Sequence, residues 1–257
     1  MPIWSFDVPV SLPDAAPDAQ PAPVTATLLS LDLTSLSVVT APGAGGRVTV
    51  EVADDLTPLV EVGADGAHVS VRQVALVGRD RLTGLWPWGS RESRVRVTVP
   101  EGSRLEAHLD AGSLTGEQDW DHAEVRTAAG SVRLGACRTA NVRAEAGSVT
   151  VASCGDGRLS AQAGSVRVGV TTGTVVASAE AGSVKVGQAR EGSLDLRTGM
   201  GTVSVGVPVG TAVLADCHSE TGRVSSELAA RGEAVEGERR LYLLARTEMG
   251  TIRLRRA

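Results

Sequence analysis

Apolar and polar residues alternate with period two along most of this chain, and from Gly112 onward the alternation itself repeats. Segments beginning Gly112-Ser113-Leu114, Gly130-Ser131-Val132, Gly147-Ser148-Val149, Gly164-Ser165-Val166 and Gly182-Ser183-Val184 follow one another at steps of 18, 17, 17 and 18 residues. Period-two alternation marks a strand with one buried face. A fixed short period marks stacked units, none of which can bury its apolar face alone. Each unit holds two strands. One leaves the glycine with apolar residues at Val132 and Leu134, Val149 and Val151, Val166 and Val168, or Val184 and Val186. The other runs into the next glycine, with inward positions predicted at Val125, Thr127 and Ala129; Val142, Ala144 and Ala146; Leu159, Ala161 and Ala163; and Ala177, Ala179 and Ala181. Arg126, Arg143, Glu145, Ser160, Gln162, Ser178 and Glu180 stand between them and are predicted to face solvent.

Alternation at a fixed period places like on like in successive units, which predicts an all-β fold, a parallel β-solenoid of 17–18-residue coils stacked about 4.8 Å apart. A β-sandwich would alternate too, but without this register. The glycine frees each corner for backbone angles closed to other residues. After Gly182 the units become irregular, with Gly201-Thr202-Val203, Gly222-Arg223-Val224 and Gly250-Thr251-Ile252, and the charged stretch Glu227 to Arg240 reads as a loop or short helix. Cys137 and Cys154 each lie seven residues past their glycine. In-register stacking makes them neighbours, predicted as free thiols because parallel Cα–Cβ bonds hold the Cβ atoms too far apart for a bridge. Cys217 has no equivalent offset and is expected apart from them.

Upstream, residues 3–10 read as a short strand and Leu12 to Pro23 as a Pro/Ala/Asp-rich linker. Strand patterns recur at Thr27–Leu33, Ser35–Val39, Arg47–Val52, His68–Arg72 and Arg94–Val99, with turns at Pro42–Gly46 and Pro100–Ser103. The division expected is residues 1–100 as an N-terminal β segment capping the solenoid and 101–257 as the repeat region, in one continuous domain.

Several of these residues look like one bacterial family. Phe6-Asp7-Val8-Pro9, the Trp-rich turn before a strand ending in residues 99–103, the repeated Ala-Gly-Ser-Val steps and the run Ala245-Arg246-Thr247-Glu248-Met249-Gly250-Thr251-Ile252-Arg253 resemble the β-strand-repeat "putative adhesin" family, a domain of unknown function. The resemblance covers the chain from about Phe6 to its C-terminus and implies a solenoid-like fold. It carries over no catalytic or binding residue.

Composition narrows the function. Six aromatic residues in 257 leave the core to Val, Leu and Ala, and a net charge of −5 argues against a nucleic-acid partner. No window reaches the ~20 apolar residues of a membrane span. The N-terminal residues lack the basic and apolar regions of a signal peptide, and three cysteines make an odd count, so the expectation is a cytoplasmic chain.

Paired carboxylates are the first candidate chemistry. Asp110, Asp119 and Asp121, beside Trp120 and His122, could serve a glycosidase, but the run Glu117–His122 reads better as a polar corner loop closed by Trp120. His68, His108, His122 and His218 share no metal-ligand spacing, and Cys217-His218 alone is too little for zinc. Arg133, Arg167 and Lys185 share one outward position with Thr115, Thr150 and Ser204; a solvated face is the simpler reading than an anion-binding stripe. Trp86-Pro87-Trp88 suits a hairpin tip, where the rings either pack over the junction or contact a partner. The favoured reading is therefore not an enzyme but a scaffold or protein-interaction module, without cofactor or metal, of unnamed partner, with solenoid ends open to pairing between copies. The alternative is a carbohydrate-binding or carbohydrate-active β-helix using Asp119 and Asp121. A secreted adhesin would need an export route.

Overall fold

A computed structural model describes residues 2–7, 27–43, 47–53, 56–74, 94–228 and 238–257. The Leu12–Pro23 linker, Trp86 and Trp88, and most of the charged stretch after Glu227 lie outside them. The regular elements among the described residues are strands, apart from one 3-10 turn at Thr57–Leu59. The strands are β1 (Ile3–Asp7), β2 (Leu28–Leu33), β3 (Ser37–Gly43), β4 (Arg47–Val52), β5 (Val60–Asp65), β6 (His68–Gln73), β7 (Arg94–Pro100), β8 (Ser103–Ala111), β9 (Leu114–Gly116), β10 (Trp120–Ala129), β11 (Val132–Ala146), β12 (Val149–Ala163), β13 (Val166–Thr171), β14 (Thr174–Ala181), β15 (Val184–Ala189), β16 (Gly192–Val207), β17 (Thr211–Ser226) and β18 (Arg239–Arg256).

The repeat region is a parallel-strand sheet in the register the glycine spacing predicts. Val132, Val149, Val166 and Val184 are successive partners and every one is fully buried. Cys137 pairs with Cys154 in the same ladder, both buried and free, while Cys217 lies opposite Ala245. Two ladders meet at the glycine. The inbound ladder, running into it, stacks β8, β10, β11, β12, β14, β16, β18 and β17. The outbound ladder, leaving it, stacks β9, β11, β12, β13, β15, β16, β18 and β17. The inward side chains of both fill a single Val/Leu/Ala core.

Three expectations are corrected. Ala129, Ala146, Ala163 and Ala181 are exposed rather than inward, because the backbone has begun its turn one residue before the glycine; the buried small residues are Thr127, Ala144, Ala161, Ala177 and Ala179. The last units do not stack in chain order either. β18 lies between β16 and β17, with Gly250 registered on both Gly201 and Gly222. The inward positions explain this. Those of β18 are Leu241, Leu243, Ala245, Thr247, Ile252 and Leu254, all buried, whereas β17 offers the smaller Val213, Ala215, Cys217, Ser219, Val224 and Ser226. The more apolar strand occupies the place covered on both sides, and the less apolar one ends the stack among the described residues. Finally, the Pro42–Gly46 turn starts late, since β3 continues through Pro42 and Gly43 along β7.

The N-terminal strands extend the same ladders. β2 pairs in parallel with β8 and β6, and β3 with β9 and β7. Beyond them the pattern turns antiparallel, with β5 on β6, and β4 between β1 and β7. β5, at Val60–Asp65, was not marked by the sequence pattern: Gly63, Ala64 and Asp65 are weak strand formers.

Candidate functional surfaces

The acidic corner is built from structural contacts. Trp120 opens β10 and turns inward, 2% exposed, with its indole N–H 3.4 Å from the Gly116 carbonyl. Gln118, also buried, accepts a 2.9 Å hydrogen bond from the Thr40 hydroxyl. The Asp121 carboxylate accepts a 2.5 Å hydrogen bond from Arg138 Nε, and Arg104 Nε lies 3.7 Å from its other oxygen. The Arg138 hydrogen bond, with both guanidinium charges, holds this carboxyl below the usual carboxylate range. The Thr139 hydroxyl donates to the Asp121 carbonyl at 3.1 Å, so at 2.7 Å it must accept from His122 Nδ1–H. A carboxylate held ionised cannot act as a general acid, and a buried indole offers no sugar a stacking face. Asp119 is exposed and Asp110 lies outward on β8.

Among the described residues, no three His, Cys, Asp or Glu side chains come together as a metal site. Burial, the largest cause in each case, pushes the Cys137 thiol up to about 12 and Cys154 up to about 11. Cys217, half-buried on the end strand, is raised as well, chiefly by burial. Reactive cysteines show the opposite shift.

Two surfaces remain, and both depend on register. The first is a concavity of about 870 Å³ on the outer face of the inbound ladder, across β14, β16, β18 and β17. Gly199 makes the dip: its row runs Glu180, Gly199, Glu248, Glu220, and the missing side chain leaves a notch between carboxylates. Ser178, Arg197, Arg246 and His218 form the adjacent row, with Arg197 bound to Asp195 through 2.7 and 2.9 Å hydrogen bonds. Met200 and Met249, stacked on one another at the glycine corner, border the other side and are 53% and 51% exposed. Tyr242 and its register partner Leu214 lie outward on the same ladder, 53% and 70% exposed.

The second is the outer face of the outbound ladder. Arg133, Thr150, Arg167, Lys185, Ser204 and Arg253 are successive register partners along it. Sequence spacing revealed the start of this row but not Arg253, whose strand joins the ladder out of chain order.

These features define a repetitive, strand-built protein without an assembled catalytic centre among its described residues. The chain belongs to the Toastrack DUF4097 family, whose profile matches residues 26–256. No curated protein matches it. Among solved structures, it is similar to a putative adhesin from Bacteroides fragilis NCTC 9343 at 13% identity and a TM-score of 0.48, covering 98% of this chain and 95% of that one. A putative adhesin from Parabacteroides distasonis ATCC 8503 has 10% identity and a TM-score of 0.43, with coverage of 98% and 96%. A putative lipid binding protein from the same organism has 11% identity, a TM-score of 0.47 and coverage of 98% and 96%.

Proposed function

We propose that the chain is a non-enzymatic β-solenoid scaffold of 17–18-residue coils, capped by residues 1–100, whose last rungs dock a protein partner. The observation that carries this reading is where large apolar side chains remain exposed. Met200, Val209, Leu214, Val224, Tyr242 and Met249 all belong to β16, β17, β18 or the turn between the first two, and Ile3 alone lies elsewhere among the described residues. Met200 and Met249 border the notch, Tyr242 and Leu214 lie outward on the same ladder, and exposed apolar residues beside a charge-rimmed notch are the anatomy of a docking surface. Methionine suits such a surface because its flexible side chain adapts to the partner.

The test is site-specific photo-crosslinking in native cells, with the crosslinker at Tyr242 and, as a control, at Glu145 farther along the same ladder. A discrete adduct at Tyr242 that disappears with Met249→Glu, and is absent at Glu145, is expected. Equal labelling at both positions would overturn the reading, and an adduct of two copies of the chain would replace the partner by end-to-end pairing. We also read the chain as cytoplasmic, supported by its three unbridged thiols; fractionation of native cells tests that.

A further inference from the structure

The two outer faces of this protein treat charge differently. On the inbound ladder, acids and bases are interleaved: Asp195 binds Arg197, Glu124 binds Arg126 and Asp121 binds Arg138. The outbound ladder holds no carboxylate along its β11, β12, β13, β15, β16 and β18 segments; at the end of the stack Glu227, just past β17, lies exposed beside Arg255. Its segments read Ser131–Ala136, Ser148–Ser153, Ser165–Val170, Ser183–Gln188, Thr202–Val207, Thr251–Arg256 and Arg223–Ser226, without one Asp or Glu. Arg133, Arg167, Lys185, Arg253, Arg255 and Arg223 are exposed on this face, and among the described residues none has an ion-pair or hydrogen-bond partner for its side chain.

A chain of net charge −5 thus carries one face whose charges from β11 to β18 are all cationic, with Glu227 at its end. Solubility does not require it, since the interleaved face already shows how this protein solvates a ladder. Stability opposes it, because like charges on neighbouring strands repel. We infer that this face binds a linear polyanion lying along the stack, across the strands. Four of the six cations share one register row, Arg133, Arg167, Lys185 and Arg253. At about 4.8 Å per strand, they span about 24 Å with gaps of about 5–10 Å. A single file of charges matches a single polymer chain, whereas an anionic membrane surface would be met by cations spread over the whole face. Ser131, Ser148, Ser165, Ser183, Thr202 and Thr251 line one side of the file with hydroxyls able to donate to anionic oxygens. Ala152, Gly169 and Gly187 line the other with short or absent side chains.

The ligand class is an acidic polysaccharide or polyphosphate, whose shared chemistry is one anionic group every few ångströms. Binding of the full chain to heparin and to long-chain polyphosphate, measured across a salt series, separates these two. The triple variant Arg133→Gln/Arg167→Gln/Lys185→Gln should weaken binding at least tenfold and reduce the slope of log K against log[salt] by about 2, each lost contact contributing about 0.7. Because all three side chains are exposed and make no described contact, the variant should fold, which an unchanged melting temperature checks. Arg126→Gln/Arg143→Gln/Arg197→Gln, on the other face, should leave polymer binding intact. Equal loss in both variants, no loss in the first, no binding to either polymer, or a preference for phosphatidylglycerol vesicles over both would each overturn the inference.

Discussion

At the scale of single residues, the fold turns on what a Cβ atom would meet at the corners. Gly130, Gly147 and Gly164 lie at φ +135, +139 and +148, and a Cβ on Gly147 or Gly164 would sit 1.7 Å from the carbonyl oxygen of the glycine one rung before. Positive φ alone costs an L-residue roughly 1–2 kcal/mol, but backbone overlap at that distance cannot be relieved without separating the rungs. Gly66 separates the two effects: it has φ +58 with open space around its absent Cβ. Gly66→Ala should therefore lower the melting temperature modestly, whereas Gly164→Ala should cost well over 4 kcal/mol, in the range of exceptional single substitutions, or abolish folding. Equal melting temperatures for the two would show that conformation rather than contact sets the corner. The glycine spacing made these corners legible, as it did the buried Val149, Val166 and Val184 column, because period and alternation are properties of one strand and its copies. The outward turn of Ala129, Ala146, Ala163 and Ala181 was not legible, since alanine carries too little polarity to declare its side.

At the scale of elements, the order of strands departs from the order of the chain. Glycine-to-glycine counting predicts β17 on β16, yet β16 and β17 are both paired to β18. Local pattern cannot report this, because all three strands alternate; what separates them is the apolar content of their inward positions, and that decides only when they compete for a covered place. The consequence is measurable by amide hydrogen exchange. β18 has hydrogen-bonded neighbours on both sides and a buried inner face, while β17 has one neighbour among the described residues and mostly exposed side chains. Local opening free energies follow burial and pairing, so amides of 241–254 should exchange far more slowly than those of 211–226, although β17 comes first in the chain. Comparable protection in the two strands would mean that β17 is covered on its open edge. The candidate surfaces share this dependence on register: the Gly199 notch joins Glu180 to Glu248, 68 residues apart in number, through two rungs that no sequence period connects.

At the scale of the whole molecule, charge is sorted by face rather than by sequence. The sequence shows 8 Lys+Arg against 5 Asp+Glu over residues 130–200, a mild excess with no address. Stacking sends Glu145, Glu180, Glu248 and Glu220 to the inbound ladder and leaves Arg133, Arg167, Lys185 and Arg253 unopposed on the outbound one. Net charge then misstates how the molecule meets a surface. The two ladders lie back to back across a core, with facing sheets typically about 10 Å apart, and the Debye length in about 0.1 M salt is also about 10 Å. Under those conditions an approaching surface senses mainly the face it touches. The protein should therefore be retained at neutral pH on both anion-exchange and cation-exchange media, although its sequence pI near 5.5 predicts the first alone. Arg133→Gln/Arg167→Gln/Lys185→Gln should abolish retention on the cation exchanger and strengthen it on the anion exchanger, whereas neutralising Arg126, Arg143 and Arg197 should strengthen the second without removing the first. Passage of the unmodified protein straight through a cation exchanger would show that the cationic face is neutralised by some other part of the chain.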